Sequence, residues 1–159
     1  MQNTINLIKQ FFDDHKWKYE FVEENNVFTS NINMNSIIGV LRIYIFVKET
    51  DYRVYTVLNS NAEETAYARV AEYLHRVNYG TREGNFEFDY QDGEIRYKTY
   101  VNFDGVTLSL SVVEDSILIP LFMFEKYGKN LFRAILGNES VQMLVEEVEK
   151  KSVEESSEE

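Results

Sequence analysis

The sequence has no cysteine, one proline and two histidines, and only seven glycines among its 159 residues. Without cysteine there is no disulfide framework and no thiolate metal site, and such a chain fits a reducing cytoplasm. His15 and His75 fall in separate predicted helices. Asp13-Asp14-His15 is dense in ligand atoms, but consecutive helical side chains point in different directions, so it reads as a solvated helix end. No stretch has the alternating Asp or Asn of a calcium loop. No metal or cofactor is expected.

The glycines form no phosphate cradle. Gly80-Thr81-Arg82-Glu83-Gly84 follows a helix and precedes a strand, which makes it a helix stop and a strand entry. There is no Gly-x-Ser-x-Gly elbow and no cysteine nucleophile. The carboxylate pairs Glu23-Glu24 and Glu63-Glu64 read as a turn and a helix N-terminus. The sequence therefore gives no catalytic constellation, and a non-enzymatic chain is expected.

Positive charge is also scarce: 16 Lys and Arg face 27 Asp and Glu, a net −11. This argues against nucleic acid, whose phosphates need clustered Lys and Arg, and against anionic membranes. From Glu139 to Glu159 there are eight Glu and two Lys, a net −6, which leaves −5 for the first 138 residues. The N-terminus lacks a basic region followed by an apolar stretch, so no signal peptide is expected. The apolar runs are too short to span a bilayer.

What is abundant is aromatic: 11 Tyr, 11 Phe and 1 Trp, in a chain that is 44% hydrophobic. That is enough for one packed domain, expected over residues 1–151, with an acidic disordered tail over 152–159. Ile5, Ile8 and Phe12 recur at helical spacing and predict a helix over 4–15. Strands follow at 18–23 and 27–32, with Asn25-Asn26 as the turn between them. Residues 40–48 form the most apolar strand, with Leu41, Ile43, Ile45 and Val47 on one face and Arg42, Tyr44, Phe46 and Lys48 on the other. Residues 53–58 pair with it across Glu49–Tyr52. A second helix is predicted over 62–77, with Ser60 and Glu63 at capping-box spacing and Ala66, Val70, Leu74 and Val77 as its stripe. A third spans about 111–136, with Ser111 and Glu114 as its box. Pro120 lies inside it, so the helix either kinks there or starts later. Val141 to about Lys151 forms a further short helix.

The sharpest local signal is a hairpin over 85–102. Asp92-Gly93 suits a type I′ turn, which needs positive φ at both positions. A two-residue loop sets Asp89 opposite Arg96 and Glu87 opposite Lys98 on one side. It sets Phe88 opposite Tyr97 and Tyr90 opposite Ile95 on the other. The order α-β-β-β-β-α-β-β-α, joined by short connections, predicts an α+β fold: a mainly antiparallel sheet with helices packed on one face.

If Leu41, Ile43, Ile45 and Val47 face the helices, then Arg42, Tyr44 and Phe46 lie on the opposite sheet face, joined by Tyr55 and Tyr100. Aromatics mixed with arginine make a candidate protein-binding surface. A dimer interface, or coverage by the last helix, would use the same face differently. A small-molecule binder or enzyme with a Tyr- and Phe-lined pocket on the sheet is the alternative.

The segment NYGTREGNFEFDYQDGEIRYKT, residues 78–99, resembles the YbjN family of bacterial proteins. The family pattern is a helix ending in Asn, a Gly-rich turn, a Phe-Glu strand, an Asp-Gly turn and an Ile-Arg-Tyr strand. Here these are Asn78, Gly84, Phe86-Glu87, Asp92-Gly93 and Ile95-Arg96-Tyr97. Trp17-Lys18-Tyr19 and Leu41-Arg42-Ile43-Tyr44 also look like the family, so the resemblance spans about residues 5–137. It implies a fold similar to the small acidic chaperones of type III secretion. Those are α+β homodimers that bind unfolded client segments on exposed apolar patches. A homodimer with a protein or peptide client, and a chaperone-like or regulatory role, are thus expected. No catalytic residues carry over from the resemblance.

Overall fold

The computed structural model describes the backbone of residues 1–157 and the side chains of residues 1–151. Helix α1 (Gln2–Asp14) leads into strands β1 (Tyr19–Val22), β2 (Val27–Asn33), β3 (Val40–Val47) and β4 (Asp51–Leu58). After a 3-10 turn, Glu64–Ala66, come α2 (Tyr67–Tyr79), β5 (Asn85–Phe88), β6 (Ile95–Asn102), α3 (Leu110–Leu136) and α4 (Val141–Ser157). The six strands form one antiparallel sheet in the order β1-β2-β3-β4-β6-β5. The helices cover one face.

The two-residue period of the strands divides the sheet as the sequence predicts. Leu41, Ile43, Ile45, Val54, Tyr97 and Ile95 point inward and are buried. They meet Ile8, Phe11 and Phe12 of α1, Val70 and Leu74 of α2, and Ile117, Phe124 and Leu131 of α3 in one core. Burying each large apolar side chain contributes about 1.5–3 kcal/mol, which is what holds the two layers together.

Helix α3 runs unbroken through Pro120 and begins before it, at Leu110. Proline cannot supply the N–H that Ser116 C=O needs. The Thr99 hydroxyl on β6 donates to that carbonyl at 2.7 Å instead. Beside it the Ser116 hydroxyl donates to Val113 C=O at 2.8 Å and lies 2.9 Å from the Tyr52 hydroxyl of β4. A sheet side chain thus satisfies the carbonyl that the proline leaves open.

Both predicted capping boxes give way to other starts. Ser109, not Ser111, caps α3, its hydroxyl accepting the Val112 N–H at 3.4 Å. Helix α2 starts at Tyr67 rather than at 62, because Ala62 N–H donates to Gly93 C=O at 2.9 Å and holds the Ser60–Glu63 stretch out of the helix.

The hairpin forms, but its register is shifted by two residues. Phe86 opposes Tyr97, Glu87 opposes Arg96, and Phe88 opposes Ile95. Gly93 has φ +78 while Asp92 does not take a positive φ, so a type I′ turn is impossible. The loop is wider. Gly93 N–H donates to Asp89 C=O at 2.9 Å, and Asp89 N–H to Glu94 C=O at 3.0 Å. The Asp89 and Asp92 carboxylates accept the N–H groups of Gln91 and Glu94. A Cβ on Gly93 would lie 2.2 Å from Ala62 O, so glycine also lets the tip lie against the 61–62 segment. Asp89 therefore leaves the charge ladder, and Tyr90 packs on Tyr67 instead of facing Ile95.

Helix α4 extends beyond the expected end at Lys151. Val141, Leu144 and Val145 are buried. Arg133 of α3 donates to Glu147 at 2.7 Å and also pairs with Glu139. Arg69 of α2 donates to the carbonyls of Ala134 and Glu139. The tail expected to be disordered, 152–159, lies outside the residues whose side chains are described.

Replacing Thr99 with Val keeps its shape but leaves Ser116 C=O buried without a donor. The Thr99→Val variant should lose about 1–3 kcal/mol in urea unfolding. The loss should shrink in a Pro120→Ala background, where residue 120 again supplies the N–H, and a double-mutant cycle measures that coupling.

Candidate functional site

The outer face of the sheet gathers all five sequence-predicted residues. In register across β2, β3 and β4, Asn31 opposes Arg42, which opposes Val57. Thr29, Tyr44 and Tyr55 form the next row, and Val27, Phe46 and Arg53 the third. On β6, Tyr100 opposes Arg53, Lys98 opposes Tyr55, and Arg96 opposes Val57. Arg42 and Tyr100 lie at opposite corners of this patch, with the rings of Tyr44, Phe46 and Tyr55 between them.

Phe46 meets Tyr55 edge to face at 5.8 Å between centroids, and the Arg96 guanidinium lies 4.4 Å over the Tyr55 ring. These contacts fix the rings without burying them. Phe46 is 40% exposed, Tyr100 53%, and Val22 at the end of β1 46%. Exposed apolar groups of this size on one face, interleaved with arginine, match what protein interfaces use.

Sequence reasoning did not single out Arg53, Val22 or Val57 for this face, and it placed Arg96 and Lys98 only in the hairpin's outer charge ladder. Alternation within each predicted strand signalled their side, but only the strand order makes them neighbours. Arg42 donates to Asn59 at 2.9 Å and Arg53 lies 3.8 Å from Asp51. Arg96 bonds Glu87 at 2.8 Å, and Lys98 contacts the same carboxylate.

Glu87 is the charge centre of this edge. Its partial burial opposes ionisation, but hydrogen bonds from Lys98 and Arg96 outweigh this and lower its pKa. On the covered side, burial drives the Tyr52 hydroxyl up to about 12, which the Ser116 hydrogen bond offsets in part. Burial raises Tyr73 and Tyr97 as well. These phenols serve the core: Tyr73 donates to Tyr127 C=O and Tyr97 to Glu83 C=O. Their rings belong to the core between sheet and helices.

The rest of the surface offers open grooves. One of about 700 Å³ runs along β1 and β2 past Trp17, Tyr19 and Asn31. A second of about 500 Å³ lies between α2 and α4, beside His75, Tyr79 and Glu146. The His15 ring lies 2.9 Å from Phe11 C=O and packs against Trp17. Among the described residues no three His, Asp or Glu side chains converge as a metal site, and no helix is long and apolar enough to cross a membrane.

This architecture is the type III secretion chaperone-like α+β fold. A chain in the crystal structure of the ExsC–ExsE complex matches with a TM-score of 0.55 at 12% identity, over 82% of this chain and 94% of that one. YbjN from E. coli matches with a TM-score of 0.55 at 9% identity, over 83% of this chain and 88% of that one. At such identities the likeness is one of fold. Residues 4–115 match the sequence profile of the YbjN family, described as "putative bacterial sensory transduction regulator", and the chain belongs to that family. No curated protein sequence matches it significantly.

The depressed Glu87 pKa fixes a pH dependence. A carboxylate lowered below its ordinary 4.5 stabilises the fold above that value, and the contribution is lost as pH falls through the folded value. Glu87→Gln should cost no more than about 1 kcal/mol at neutral pH, because the pair is partly exposed. The stabilities of the two proteins should converge in acid, as read by urea unfolding at a series of pH values.

Proposed function

We propose that this protein is a non-enzymatic protein-binding module, chaperone-like or regulatory, whose partner docks on the outer sheet face. The observation that carries the reading is the set Arg42, Tyr44, Phe46, Tyr55 and Tyr100 on one helix-free face. Membership of a regulator family and a chaperone-like fold support it.

The charges of the face fit a protein better than a nucleic acid. Among the register-paired residues of this face, Arg42, Arg53, Arg96 and Lys98 stand against Glu20, Asp51 and Glu87, which is +4 and −3, or +1. Glu87 already engages two of those cations. Too little positive charge is left to track a phosphate backbone, while aromatics beside arginine suit protein hot spots. We propose further that the protein works as a homodimer in the cytoplasm, where a chain without cysteine loses nothing to a reducing environment.

Tyr44→Ser and Phe46→Ser should each weaken partner capture at least about tenfold, the effect of removing a hot-spot ring. Both positions are on the solvent side, so the unfolding midpoint should change little. The check is quantitative affinity capture with mass spectrometry, alongside sedimentation to read oligomeric state. Unchanged capture together with an unchanged oligomeric state overturns the reading.

A further inference from the structure

The edge of β6 offers a second site, of a different kind. Strand β5 pairs with β6 only as far as Asn85 opposite Lys98, yet β6 continues to Asn102. Beyond Lys98 the strand has a neighbour on the β4 side alone. The next residue back along the chain in register with Tyr100 is Glu83. Its carbonyl accepts the Tyr97 hydroxyl at 2.6 Å, below the plane of the ladder. Gly84, at φ +74, presses so closely on Lys98 that a Cβ would lie 2.4 Å from the Lys98 carbonyl oxygen, and there the chain leaves the sheet.

The free backbone groups can be named. Phe103 N–H donates to Thr50 C=O at 2.8 Å. In an antiparallel ladder successive residues alternate the side to which they bond. Thr99 and Val101 therefore bond toward β4, and Tyr100 and Asn102 direct their N–H and C=O away from it. Among the described residues nothing bonds these groups of Tyr100. They open into a groove of about 550 Å³ flanked by Arg82 and Gly84 on one side and by Val112, Asp115 and Ile119 of α3 on the other.

We propose that this groove takes an extended segment of a partner protein, which adds to the sheet as a short strand beside Tyr100–Asn102. Three features select that occupant. The unmet groups are backbone donors and acceptors at strand spacing, which another extended backbone satisfies. The open edge, Thr99–Asn102, has room for about four residues, roughly 13 Å at strand rise. The flanks formed by α3 and the Arg82–Gly84 crossing make a slot for a single chain rather than for the edge of a second whole sheet. Side chains of the added strand would alternate. One set would lie over the outer face beside the Tyr100 ring, and the other would point at Val112 and Ile119, so apolar residues are required at alternate positions. The groove meets the aromatic face at Tyr100.

The inference rests on the partner being a protein, but its test reads the backbone amides of Tyr100 and Asn102 and does not depend on the Tyr44 and Phe46 rings. The probe is a short synthetic peptide alternating valine and threonine between terminal lysines, added to the full chain, with amide hydrogen exchange followed by NMR. In the free protein Thr99 and Val101 should be protected while Tyr100 and Asn102 exchange rapidly. The peptide should slow Tyr100 and Asn102 at least about tenfold. An analogue N-methylated along its backbone should not, and Val112→Glu should weaken the effect. Three results overturn the proposal: no protection at millimolar peptide, equal protection by the N-methylated analogue, or protection in the free chain that grows with protein concentration. The last would give the edge to a second copy. Tyr44→Ser and Phe46→Ser should leave the peptide effect intact, so a failure here and a failure of the aromatic face are told apart.

Discussion

The seating of α3 on the sheet at Ser116 is the contact on which the remaining layers depend. Helices α1, α2 and α4 all pack against α3. Their positions relative to the sheet follow from where that helix is held. Apolar packing alone would let a long helix slide, because dispersion has little directional preference. The Thr99, Tyr52 and Ser116 hydrogen bonds remove that freedom at one point on two neighbouring strands. The missing N–H of Pro120 is what leaves Ser116 C=O open to the sheet. A break in the helix ladder has become a link between layers. The same link has a consequence on the other side of the sheet. With Thr99 and Tyr52 turned inward, the pleat turns Tyr100 and Arg53 outward.

That pleat is also why much of the architecture was legible in the sequence. The alternation of Leu41, Ile43, Ile45 and Val47 against Arg42, Tyr44 and Phe46 placed three candidate residues on the correct face before any pairing was known. Turn positions read from sequence set the register two residues off at two places. Treating Glu49–Tyr52 as the turn sets Lys48 opposite Arg53, whereas Val47 opposes Tyr52. The Asp92-Gly93 turn likewise set Glu87 opposite Lys98 rather than Arg96. Each slip is of two residues, and a two-residue slip preserves the face of every side chain. Tyr55 and Tyr100 therefore stayed on the predicted side while their neighbours changed. What was hidden was tertiary. Ala62 bonding to Gly93 displaced both the hairpin turn and the start of α2, and no local pattern at either site carries that contact. Pro120 posed the right question, but its answer lay in Thr99, 21 positions earlier.

The open face and the sheet edges show opposite solutions to exposure. Both edge strands are kept to four residues, and the β5 edge carries Glu87 between two cations. Short and charged edges resist indiscriminate strand pairing. On the face, by contrast, the rings are left in water but never next to one another along the third row, where Arg53 separates Phe46 from Tyr100. A cation between two exposed rings limits the contiguous apolar area that drives aggregation, yet leaves each ring available to a partner that supplies its own complement. The groove at Tyr100 departs from the edge rule in a confined place. Its free backbone groups lie between α3 and the Arg82–Gly84 crossing, and under the proposal above these two walls admit one added strand. Under that proposal, selectivity at this point comes from the shape of the access. The charged residues lining the groove are of mixed sign, Arg82 with Glu83 and Asp115, so neither sign of charge alone marks its occupant.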